Sequence, residues 1–182
     1  LVRSIIAAQN ADVFLTAGDD IQDTARGDGQ RIVAQDLVLD AGNGSGGGAP
    51  GISLETTVAR IDARVQNAAL DGPIDIVETD DLVLEEFDAS NGIGGVATAN
   101  GNITIVSGGT MTANLITAGG TGDVDLTTTS GNISVGVITA LGDRVALTSA
   151  GAITDNNGAT VNIDAADFVA DGGADVSTAA TG

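Results

Sequence analysis

The sequence predicts an all-β fold, a parallel β-helix (solenoid) of about seven coils with three short strands each. The first observation behind this is a period. Ile103, Val124 and Val145 open equivalent strands at equal intervals (124 − 103 = 145 − 124 = 21). A unit near this size cannot bury its own apolar face and must stack on its neighbours. The second is the content of each unit: short runs rich in Val, Ile and Thr, separated by turns such as Ala118-Gly119-Gly120 and Ser130-Gly131-Asn132. β-Branched residues bounded by Gly and Asn favour strands over helices. The third is composition. Gly supplies 27 of 182 residues, and three Phe are the only aromatics. A narrow repetitive core of Val, Ile, Leu and Ala needs many tight turns and does without the rings that fill a compact globular core.

Taken in order, Leu1-Val2-Arg3 has neither a Met start nor a signal-peptide pattern, so the chain is expected to be an internal segment. Ile5–Ala8 reads as the end of one coil, and Asp12-Val13-Phe14-Leu15 as the start of the next. Asp36-Leu37-Val38-Leu39 opens another, whose first turn is swollen by the Gly-rich loop 42–51. Ala59–Val65 alternates cleanly: Ala59, Ile61, Ala63 and Val65 on the core side, Arg60, Asp62 and Arg64 as an outward charge stripe. First strands are expected to begin at 13, 37, 74, 103, 124, 145 and 168, with the longer gaps taken up by projecting loops. On that parsing Val13, Leu15, Leu37, Leu39, Ile74, Ile76, Ile103, Ile105, Val124, Leu126, Val145 and Leu147 form one buried column. The residues before them (Asp12, Asp36, Pro73, Asn102, Asp123, Arg144 and Asp167) stack on one edge, with Arg144 between Asp123 and Asp167.

Charge narrows the function classes. Six Arg and no Lys stand against 25 acidic residues, a formal net charge of −19. Nucleic-acid binding depends on cations that neutralise phosphate, so no nucleic-acid partner is expected. No apolar run reaches the roughly 18 residues of a membrane span, so no span is expected either. Cys is absent, which excludes disulfides.

A longer period is also present. Residues 32–42 match 163–173 at 6 of 11 positions with an offset of 131, and 15–23 match 147–155 at 4 of 9 with an offset of 132. The chain (1–182) is therefore expected to be a single solenoid segment of a longer array, whose modules recur at that offset of 131–132.

Several of these stretches carry a resemblance. Gly51-Ile52 with Leu54-Glu55-Thr56-Thr57-Val58 and the following Ala-Arg-Ile-Asp-Ala run, Gly131-Asn132-Ile133, and Ala150-Gly151-Ala152-Ile153-Thr154-Asp155 resemble the repeats of filamentous-haemagglutinin-like bacterial surface adhesins. The resemblance implies a right-handed parallel β-helix, an extracellular, cell-surface or secreted location, and a role in cell adhesion or a surface fibre. The amino-terminal secretion domain of that family has no counterpart here.

The chemistry-bearing candidates are two carboxylate clusters, Asp19-Asp20-Asp23-Asp28 and Asp80-Asp81-Glu85-Glu86-Asp88. Paired carboxylates can divide acid and base roles, and β-helices include polysaccharide-cleaving enzymes. Neither cluster has Trp, Tyr or His beside it, and the chain lacks His, Cys, Lys, Tyr and Trp altogether, so no enzyme activity and no catalytic residue are expected. Solvated acidic turns are the plainer reading. Clustered carboxylates also suit Ca²⁺, with Asp19, Asp20, Asp80 and Asp81 as the weak metal candidates. Gly119-Gly120-Thr121-Gly122-Asp123-Val124 misses the calcium nonapeptide at Val124, where an Asp is required. Asn43, Asn102 and Asn132 fit the glycosylation pattern, but the last two begin strands and read as stacked turn asparagines. The expected function is a structural repeat segment of an exported adhesin or surface fibre, a rigid spacer assembling end to end with neighbouring coils or copies, with a host or matrix glycan as a further partner. The alternatives are a carbohydrate-active β-helix enzyme and a Ca²⁺-dependent biofilm matrix polymer.

Overall fold

The computed structural model describes residues 5–6 (backbone only), 10–24, 26–27, 29, 32–42, 51–66, 72–87, 92 and 94–177. Every strand pairing among them is parallel, and they join into one continuous sheet. The strands are β1 (Ile5–Ile6), β2 (Val13–Ala17), β3 (Ile21–Gln22), β4 (Ile32–Ala41) and β5 (Ile52–Val65). Then follow β6 (Ile74–Glu78), β7 (Leu82–Leu84), β8 (Val96–Thr98), β9 (Ile103–Ser107) and β10 (Met111–Ala118). The last are β11 (Val124–Thr128), β12 (Ile133–Ser149), β13 (Ile153–Asp155), β14 (Ile163–Gly172) and β15 (Val176–Ser177).

Parallel neighbours about one coil apart in sequence make a β-solenoid with three faces. The first face stacks Ile21, Ile52, Ile74, Ile103, Val124, Val145 and Phe168 in register. The second stacks Leu82, Met111, Ile133, Ile153 and Val176. The third stacks Ala63, Val96, Ile116, Ile138 and Ile163. Alternation explains the choice of residues: in a strand every second side chain turns inward. Ile103, Ile105 and Ser107 are buried while Thr104 and Val106 are half-exposed. The core is a narrow column of Ile, Leu, Val, Ala and one Met. Each fully buried Ile or Leu contributes about 1.5–3 kcal/mol, and stacking multiplies that term coil by coil.

The repeat read over 103–145 holds as single coils, but the first two coils are out of phase with the sequence parsing. Val13 and Leu37 stack with Ile61, not with Ile74. The true first-face partners below Ile74 are Ile52 and Ile21. Six coils therefore begin at 21, 52, 74, 103, 124 and 145, and a further one begins at 168. The Gly-rich stretch between β4 and β5 thus precedes a first-face strand, at Ile52, instead of swelling a first turn. Its residues 43–50 lie outside the described residues, as do Ala7, Ala8, Asp28 and Asp88 and the side chains of Ile5 and Ile6. The twelve core positions are right in orientation, all buried except the half-buried Leu15, but they belong to more than one column.

Side chains from one coil bind the backbone of the next at the corners. Before the first face, Gly51 N–H donates to Asp20 Oδ1 (2.9 Å), Asp123 N–H to Asn102 Oδ1 (3.0 Å) and Arg144 N–H to Asp123 Oδ1 (2.9 Å). After it, Thr110 N–H donates to Asp81 Oδ1 (2.7 Å) and Ala152 N–H to Asn132 Oδ1 (2.8 Å). Asn102 and Asn132 are thus turn acceptors, as read from the sequence. The edge stack of Pro73, Asn102, Asp123, Arg144 and Asp167 is also present, but Gly51 and Asp20 continue it downward instead of Asp36 and Asp12. The Arg144 guanidinium leaves that edge and pairs with Asp125 at 3.3 Å.

Glycine is required where these corners pack backbone on backbone. A Cβ at Gly101 would lie 2.3 Å from the carbonyl oxygen of Gly72, and one at Gly122 the same distance from that of Gly101. Gly101→Ala is expected to destabilise the chain by about 1–3 kcal/mol, since backbone must move. Urea unfolding checks this; an unchanged midpoint would show that the corner yields freely.

Candidate functional site

The first corner after β6 brings together the features of most chemical interest. The inner positions that end the first-face strands are polar from the second coil to the sixth: Thr56, Glu78, Ser107, Thr128 and Ser149 stack in register and are all buried. Glu78 is the one charged type in this column and is 1% exposed. Its Oε2 accepts the Thr56 hydroxyl (2.7 Å) and the Val58 N–H (3.0 Å), and its Oε1 accepts the Thr79 N–H (2.8 Å). Burial raises its pKa to about 7; the bonds from Thr56, Thr79 and Val58 oppose that shift, and a hydrogen bond with the Asp80 carboxyl adds to it. A buried carboxyl without a facing cation is disfavoured in its charged form, and here desolvation outweighs the donors.

Outside this corner lies an open groove of about 460 Å³, lined by Val33, Gln35, Thr57, Ala59, Asp80 and Asp81 among others. Asp80 and Asp81 are exposed at its rim. Each also serves the corner: Asp81 accepts the Thr110 N–H, and the Asp80 carbonyl accepts the Ser107 hydroxyl at 2.6 Å. Asp19 and Asp20 sit at a different corner, where Asp20 accepts Gly51 N–H and the Asp19 carbonyl accepts Gly42 N–H (3.2 Å). The fold therefore does not unite the two acidic pairs into one site. Among the described residues, no three Asp or Glu side chains gather as a metal-ligand set.

A second concentration of charge lies on the outer side of β4 and β5. Arg60 forms a two-pronged pair with Asp36, reaches Glu85 at 3.5 Å and lies 4.7 Å from the ring centre of Phe87. Arg64 grips Asp40 through both oxygens at 3.0 Å and donates to the Gly92 carbonyl. Burial works against the Asp40 carboxylate, but the hydrogen bonds from Arg64 and Gln66 and the charge of Arg64 outweigh it and hold its pKa below the usual range. Asp62, expected in an exposed stripe, is instead fully buried, and Gly95 N–H donates to its Oδ1 (3.1 Å). The cause is long-range: Gly92 and Gly95, which lie between β7 and β8, come back over these outward residues. With Arg26 bound to Asp75 and Arg144 to Asp125, every described arginine is paired with an acidic side chain.

The third place is the last rung. Phe168 stands directly over the buried Val145, and Val176 over the buried Ile153, yet they are 39% and 47% exposed. Among the described residues no further strand lies over the apolar columns at β14 and β15, and Val169 beside them is 44% exposed. No helix is long and apolar enough to cross a membrane among the described residues.

No family model matches the chain, and no curated protein or solved structure matches it either, so the solenoid geometry itself carries the functional argument.

Proposed function

We propose that the chain is a structural repeat segment of an exported bacterial adhesin or extracellular surface fibre, a rigid spacer whose coils continue by end-to-end stacking. One observation carries this reading: the inner columns reach the last rung in register and remain apolar there, at Phe168 and Val176. A rung with unpaired backbone and apolar side chains favours association with another rung. The partners in this reading are neighbouring coils or copies at the ends, with a host or matrix glycan at the lateral groove. It places the protein outside the cell and assigns it no catalytic step, since the Glu78 carboxyl is engaged in bracing the corner.

The experiment is sedimentation of the chain over a range of concentrations. Reversible association is expected, and Phe168→Asp is expected to weaken it at least tenfold, because a buried unpaired charge opposes stacking. A chain that stays monomeric at millimolar concentration would overturn end-to-end assembly. Polysaccharide cleavage lost on Glu78→Gln would favour the enzyme reading instead, and melting that shifts with Ca²⁺ would favour the matrix polymer.

A further inference from the structure

We propose that the uncovered edge of β14 accepts a parallel strand carrying two arginines in the spacing of Arg60 and Arg64, the opening rung of a further solenoid module. The inference rests on the stacking reading above and names the chemistry of its partner. It starts from the internal similarity of the chain. Residues 32–42 and 163–173 share Ile, Ala, Asp, Val, Asp and Gly at equivalent places, which sets Asp167 and Asp171 where the earlier segment has Asp36 and Asp40.

The structure shows what the earlier pair does. Asp36 and Asp40 project outward from β4, and β5 lies on that strand with Arg60 opposite Asp36 and Arg64 opposite Asp40. Both arginines bind their aspartate through two nitrogens. Paired guanidinium–carboxylate forks of this kind fix register as well as adding attraction.

β14 presents the same outward pattern. Register places Asp167 over Arg144, Val169 over Ala146 and Asp171 over Thr148, so all three point away from the core, as Asp36, Val38 and Asp40 do. Asp167 and Asp171 are exposed, and no cation pairs with either among the described residues; the one nearby guanidinium, of Arg144, is engaged with Asp125. Phe168 and Ala170 supply the inward positions that Leu37 and Leu39 supply in β4. The two segments lie on different faces of the solenoid, so the likeness is one of local strand chemistry.

The test appends the sequence of residues 52–66 to Gly182, which the offset of 131 sets level with Gly51 (182 − 131 = 51). Three versions are compared by thermal melting: the natural arginine pair, both arginines replaced by Ala, and both replaced by Glu. The arginine version is expected to melt highest and the Glu version lowest, with a gap on the order of 4 °C. On an Asp167→Asn, Asp171→Asn background the gap is expected to close. If all three raise the melting temperature equally, the rung takes any strand and the arginine preference is wrong, while stacking stands. If none raises it, both this inference and stacking on β14 fail.

Discussion

Leu126→Ala is expected to lower stability by about 2–5 kcal/mol, the range for removing a buried Leu from a packed core. Leu126 is 1% exposed and stacks between Ile105 and Leu147, so neither neighbour can relax into the space without breaking its own rung. The adjoining Thr127 turns outward on the same strand, and Thr127→Ala is expected to stay within about 0.5 kcal/mol. Urea unfolding of the two variants checks the contrast. In a stack where each coil contacts chiefly its neighbours, cost also depends on height. Val176→Ala, on the last rung, removes a side chain that is already 47% exposed and is expected to cost far less than Leu126→Ala. Equal losses at both places would mean that the stack does not behave as neighbouring layers.

The legible part of this fold is the part where the coils are short. From Ile103 to Ser149 nothing interrupts the three faces, so apolar alternation and the even spacing of Ile103, Val124 and Val145 translate directly into register. Lower in the stack the intervals from Ile21 to Ile52 and from Ile74 to Ile103 are longer (52 − 21 = 31 and 103 − 74 = 29). Strand spelling there looks alike on every face, and a strand such as β4 can be placed on the wrong one. Two site features escaped for different reasons. Glu78 was visible in principle: Ile74, Ile76 and Glu78 share one parity, and the same place holds Thr56, Ser107, Thr128 and Ser149 in other coils. A polar residue recurring at the inward end of the strand is the signal, and charge runs around 78–81 masked it. Asp62 was not visible, because alternation correctly turns it outward and only the later residues near Gly95 cover it. Burial by a distant loop leaves no mark in the local pattern.

Stability is expected to fall as pH rises from about 5.5 to 8, with Glu78 as the cause. Its pKa, raised by burial to about 7, exceeds the ordinary value of 4.5 that it regains on unfolding. Between these values the folded chain holds a proton that the unfolded chain has released, and the side that binds more protons is favoured by acid. The contribution is therefore complete below about pH 4.5 and is lost as pH climbs through 7. Its full size is about 3 kcal/mol, at roughly 1.36 kcal/mol for each tenfold change in proton affinity. Asp40 and Asp155 do not blur the window. Asp40 and Asp155 have lowered pKa values, Asp155 mainly through the Asn162 amide and the Asn157 N–H, so both are ionised throughout it. Glu78→Gln removes the titrating group, and its stability is expected to be level from pH 5.5 to 8. The slope is the readout, because Gln also presents an amide NH₂ to a corner whose donors already face both oxygens, and this lowers stability at every pH. Urea midpoints of both proteins across the window decide it: a wild-type chain as flat as the variant would show that the Glu78 carboxyl stays ionised in its buried column.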